Sequence, residues 1–90
     1  NITNDVVMLI NSKQSIDEIL KETKLKKAKI YEIIIENKSI LQIDSLFPNI
    51  EFNIVKDYLT INKMSIRELQ EKSNYKLDFI DAKLLKEFFN

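Results

Sequence analysis

Ninety residues, 44% hydrophobic and 31% charged, suffice for one small globular domain with a limited core, and 14 basic against 14 acidic side chains leave no net charge. Without Cys or His the chain cannot build a thiol nucleophile, a Ser-His pair, an imidazole base or a conventional zinc site, and without Gly it has neither a P-loop nor a dinucleotide fingerprint. Carboxylates, lysines and three tyrosines remain, so no catalytic residues, metal, cofactor or small-molecule ligand are expected of this chain.

Apolar residues recur at helical spacing nearly throughout, which predicts an all-α fold. Val6, Leu9 and Ile10, opened by Thr3 or Asn4 as a cap, give a first helix over about 4–13. Ser15 with Glu18 forms a capping box, in which the hydroxyl accepts from the amide at 18 and the carboxylate reaches back to the amide at 15. It opens a second helix over about 15–23, with Ile16, Ile19 and Leu20 inward. After a turn at Thr23-Lys24-Leu25, a third helix over about 26–37 places Ile30, Ile33, Ile34 and Asn37 on one face.

A rival reading exists for residues 33–43. Ile33-Ile34-Ile35, Asn37-Lys38 and Ile40-Leu41-Gln42-Ile43 read as a β-hairpin, which would make a winged helix. The helix is preferred, because Asn-Lys lacks the glycine a two-residue hairpin turn favours. A short helix near Asp44 follows, and Pro48 fits the first position of a fourth helix over about 48–62, with Ile50, Ile54, Tyr58 and Ile61 inward beside Val55 and Leu59. Ser65 and Glu68 repeat the capping box for a helix over about 65–73. Asp78 caps a last one over about 79–89, with Ile80, Leu84, Leu85 and Phe88 in its core.

The two serine capping boxes mark an internal resemblance at an offset of 50: Leu9/Leu59, Ser15/Ser65, Ile16/Ile66, Glu18/Glu68, Ile19/Leu69, Ile30/Ile80 and Ile34-Ile35/Leu84-Leu85. Residues 1–90 therefore read as a single helical domain, a bundle of about six short helices in two helix-turn-helix-like three-helix units over about 4–37 and 49–89. The units differ where a ligand would sit. The first starts its last helix with Lys26-Lys27-Ala28-Lys29, the second with Lys76-Leu77-Asp78-Phe79 and then Asp81, whose carboxylates would repel phosphate.

Each half of the chain carries seven basic and seven acidic side chains, yet residues 21–29 hold five lysines against one glutamate. The 13 Lys to one Arg, with 15 Ile and nine Asn, has the look of an AT-rich genome, where lysine fills any solvated position, so a plain solvated face is the competing reading of that run. As a site, Lys24, Lys26, Lys27 and Lys29 around the third helix's N-terminus meet backbone phosphates, with Tyr31 to hydrogen-bond or stack, unless Tyr31 belongs to the core boundary. No segment reaches the about 18 to 20 apolar residues that span a bilayer, and no signal peptide is evident, so a cytoplasmic chain with no membrane partner is expected. Since it begins at Asn1 rather than Met, it is expected to be a piece of a longer protein.

Ile16-Asp17-Glu18-Ile19, Leu25, Ile30, Ile34 and Ile43-Asp44-Ser45-Leu46-Phe47, followed by Ile66-Arg67-Glu68-Leu69-Gln70-Glu71-Lys72 and Leu77-Asp78-Phe79-Ile80-Asp81-Ala82-Lys83-Leu84, resemble the helix-turn-helix domain at the C-terminus of bacterial RecQ-type ATP-dependent DNA helicases. The resemblance spans nearly the whole chain through hydrophobic spacings. It implies an accessory module that helps a helicase motor engage DNA, with the rest of the parent helicase chain as a partner. That family often has Arg where this chain has Thr23, small hydroxyl residues at Lys26, Ala28 and Lys29, and His at Ile33. Lysines replace such groups for phosphate contact but not for bidentate base recognition. The alternatives are a tandem helix-turn-helix transcription regulator, poorly equipped with one Arg, and a protein-protein interaction module that does not bind DNA.

Overall fold

In the computed structural model, which describes residues 1–61 and 63–90, every regular element is helical. Six α-helices run in order: α1 (Ile2–Asn11), α2 (Ile16–Thr23), α3 (Lys27–Glu36), α4 (Phe52–Ile61), α5 (Ile66–Lys72) and α6 (Phe79–Phe88). No strand occurs among the described residues. The β-wing is thereby excluded: α3 runs on to Glu36, a 3-10 turn covers Lys38–Ile40, and the Asn37 side-chain amide donates to the Ile33 carbonyl (2.8 Å). The chain divides into two compact units, Asn1–Pro48 and Asn49–Asn90, each with three α-helices.

In the first unit α1 packs on α2 and on α3. Asn1, not Thr3 or Asn4, caps α1, its side chain accepting from the Asn4 amide (2.9 Å). The capping box of α2 is complete in both directions, 3.2 Å from the Glu18 amide to Ser15 Oγ and 2.9 Å from the Ser15 amide to Glu18 Oε1. Val6, Ile19, Ile30 and Ile34 are fully buried. No helix forms near Asp44; residues 41–47 are irregular and lay Leu41, Ile43, Leu46 and Phe47 into the core. The Ile16 amide donates to the Leu46 carbonyl (2.9 Å), pinning this segment to the start of α2.

In the second unit α5 packs on α6, and α5 repeats the serine capping box through Ser65 and Glu68. Pro48 is not the first residue of α4. It lies in a turn four residues upstream, and the helix starts at Phe52; Asn62, where a longer helix was expected to end, lies outside the described residues. The expected inner face lies largely outward. Ile54 and Ile61 are exposed, Tyr58 and Leu59 half-buried, and Val55 alone on α4 is buried. Phe52 instead joins Phe88 and Phe89, its ring centroid 5.8 Å from that of Phe89.

The repeat holds through the first two helix starts of each unit and then slips. Ile2/Phe52 and Ile16/Ile66 keep the offset of 50, as do the left-handed Lys24 (φ 60°) and Asn74 (φ 57°). The second unit adds a further left-handed residue, Tyr75 (φ 60°), and beyond it burial matches at an offset of 51: Ile30, Tyr31, Ile33 and Ile34 against Asp81, Ala82, Leu84 and Leu85. Ile80, expected in the core opposite Ile30, is exposed in consequence, as is Phe79. With no glycine in the chain, Lys, Asn and Tyr must carry these conformations against the Cβ clash. Tyr75 is held there by its amide bond to the Gln70 carbonyl (2.8 Å) while its side chain stays in solvent. Tyr75→Gly is therefore expected to raise stability by about 1 kcal/mol in urea titration. An unchanged or lower midpoint would show that the ring contributes packing.

Candidate nucleic-acid interface

α2 and α3 are joined by three residues, Lys24, Leu25 and Lys26, and this short turn gathers the lysines. Thr23 stops α2 from within: its hydroxyl donates to the Ile19 carbonyl (2.8 Å) and accepts from the Leu25 amide (3.3 Å). Lys24 closes the helix in the left-handed conformation, its amide donating to Leu20 (3.0 Å), with the side chain exposed. Lys26 is the N-cap residue of α3, also exposed. Neither Lys24 nor Lys26 has an ion-pair partner among the described residues.

Lys27 is half-buried, its ammonium 6.0 Å from the centroid of the Tyr31 ring, and Lys29 is exposed with its ammonium 3.4 Å from a Glu32 carboxylate oxygen. That pair lies in solvent, where such bonds contribute at most about 1 kcal/mol and exchange readily for another anion. Tyr31 is placed differently from the lysines. It is 5% exposed, and its ring sits edge-on to Phe47 (6.4 Å, 78°). The side chain belongs to the core and its face is not offered for stacking, so its part at this surface is to underlie Lys27.

Helix electrostatics set α3 apart from α1, α2, α5 and α6. Asn1, Ser15, Ser65 and Asp78 cap α1, α2, α5 and α6 with side-chain hydrogen bonds, and each of these helices has an acidic residue in its first turn. The Lys26 side chain makes no capping bond, and the first turn of α3 contains lysines and no acid. Cations beside the positive end of the helix dipole oppose folding by about 0.3–1 kcal/mol each, and an anion arriving there removes the conflict. α6 shows the opposite arrangement. Asp78 accepts from the Asp81 amide (2.7 Å) while Asp81 accepts from the Asp78 amide (3.1 Å), filling that helix start with the chain's own carboxylates.

The missing cap could have been read from the sequence. Position 26 is Lys where 15, 65 and 78 are Ser, Ser and Asp. Among the described residues no cluster of three or more His, Cys, Asp or Glu is arranged to hold a metal ion, and no helix is long and apolar enough to cross a membrane. No family model matches the chain, and no curated protein or solved structure matches it either.

Proposed function

We propose that this chain is an accessory helix-turn-helix module of a RecQ-like DNA helicase, docking on the DNA backbone through the lysine-led start of α3. The observation that supports this most directly is the conflict at that helix end: Lys26, Lys27 and Lys29 stand where every other capped helix has a side-chain cap and an acid. Lysine carries charge without the planar fork that reads guanine or adenine edges, and the chain has one Arg, so the docking is indifferent to sequence. Zero net charge keeps the isolated module's affinity low. Covalent attachment to a motor supplies the missing affinity through effective concentration, while the ATPase work is done elsewhere in the parent protein. The RecQ assignment itself rests on the hydrophobic spacings of residues 16–47 and 66–84.

The experiment is a salt series on the 90-residue chain with fluorescently labelled duplex and forked DNA. Four lysines on phosphates give a slope of log affinity against log salt of roughly −3 to −4. A slope near zero, or no binding at low salt, would remove the backbone-docking reading and leave a protein-interaction role.

A further inference from the structure

Beside the lysine turn, α1, the end of α2 and Leu25 line a groove of about 410 Å³ in the first unit. Ile2, Met8, Leu9 and Leu25 form its apolar lining, and Asp5 and Glu22 are its charged groups; no lysine or arginine lines it. Ile2 and Met8 are 51% and 61% exposed, a large apolar area to leave in water. Asp5 and Glu22 have no cation partner among the described residues. The face follows from helix spacing, since residues 2, 5 and 9 share the side of α1 adjoining the one that buries Val6 and Ile10.

The second unit has a smaller groove, about 240 Å³, in which Tyr58, Lys72 and Ser73 stand where the first has Met8, Glu22 and Thr23. There the unit supplies its own cation: the Lys72 ammonium lies over the Tyr58 ring, 4.8 Å from its centroid. In the first unit the corresponding pair is a carboxylate and an exposed thioether, with no cation paired to the carboxylate among the described residues.

We propose that the first unit's groove docks a basic amphipathic helix of a partner protein. Apolar side chains one helical turn apart seat on Ile2, Met8, Leu9 and Leu25, and a lysine or arginine of the partner pairs with Asp5 and Glu22, taking the part that Lys72 takes in the second unit. Charge complementarity selects this occupant. The carboxylates repel phosphate and acidic peptides, the apolar floor discriminates against merely basic ones, and Met8 is the adaptable side chain typical of helix-binding grooves. No lysine lines the groove, although Leu25 sits between Lys24 and Lys26, so the protein site adjoins the lysine edge and draws on different side chains.

The test uses three end-blocked peptides against the 90-residue chain, followed by fluorescence anisotropy and amide chemical-shift mapping: an amphipathic Leu/Lys helix, its Leu/Glu counterpart and a Ser/Lys peptide of equal charge. The Leu/Lys peptide is expected to bind, shifting amides of α1 and of residues 22–25, and Asp5→Lys/Glu22→Lys is expected to weaken it at least about tenfold while admitting the Leu/Glu peptide. Met8→Ala, at an exposed position, weakens it without moving the melting temperature. Lys26→Glu leaves it unchanged, which separates this site from the DNA reading. Equal binding of the Ser/Lys peptide, shifts confined to other elements, or indifference to the double charge reversal overturns the proposal. So does concentration-dependent self-association of the chain that Met8→Ala abolishes, since the occupant would then be a second copy.

Discussion

Lys26→Glu/Lys27→Glu/Lys29→Glu is expected to lose DNA binding while keeping its fold. Three phosphate contacts at about 1 kcal/mol each amount to about two decades of affinity at low salt, before the repulsion introduced by taking the net charge from zero to minus six is counted. The effect on stability runs the other way. Glutamates in the first turn of α3 meet the positive end of the helix dipole, gaining about 0.3–1 kcal/mol each, against the loss of one exposed Lys29–Glu32 pair and the Lys27–Tyr31 contact. The melting temperature should therefore stay within a few degrees of the parent. Lost binding at unchanged stability is what separates a functional edge from a solvated face filled with lysine. Unchanged binding moves any DNA contact off α3. If the triple variant unfolds, Lys26→Glu alone still decides, because Lys26 is exposed and has no ion-pair partner among the described residues.

Six helices were legible because amphipathic spacing coincides with two serine capping boxes, Ser15 with Glu18 and Ser65 with Glu68, and with Asp78 as a cap, which the structure shows to be boxed by Asp81. Residues 38–47 were not, for a physical reason. Leu41, Ile43, Leu46 and Phe47 are buried at spacings of two, three and one, which match neither a helix nor a strand; tertiary packing and a bond from the Ile16 amide to the Leu46 carbonyl hold the segment instead. On α4 the error came from Pro48, whose ring suits the first turn of a helix but suits the upstream turn equally; the helix starts at Phe52, and Val55, not Ile54 or Ile61, is its inward residue. At the candidate site the lysines were visible by charge alone. Tyr31 was ambiguous, since its position adjoins Ile30 and lies three before Ile34 on the buried side, and only the edge-on contact with Phe47 shows it packed.

Ile30→Ala is expected to cost about 2–5 kcal/mol, whereas Ile80→Ala, its partner at an offset of 50, should stay within about 0.5 kcal/mol. Ile30 is fully buried, so truncation leaves a cavity; Ile80 is 43% exposed, so water fills the space. Urea titration of both variants reads the difference directly, and equal losses would place Ile80 in the core and remove the one-residue slip. Asp81, which matches Ile30 in burial, is the third residue of α6 and completes the box with Asp78 through its backbone and carboxylate, whereas the third residue of α3 is Lys29. At that helix start the amides of Asp78 and Asp81 are taken by the chain's own carboxylates, whose charge would repel an anion. The turn before α6 therefore carries the register shift, while Asp78 and Asp81 give α6 the side-chain cap that Lys26 does not give α3.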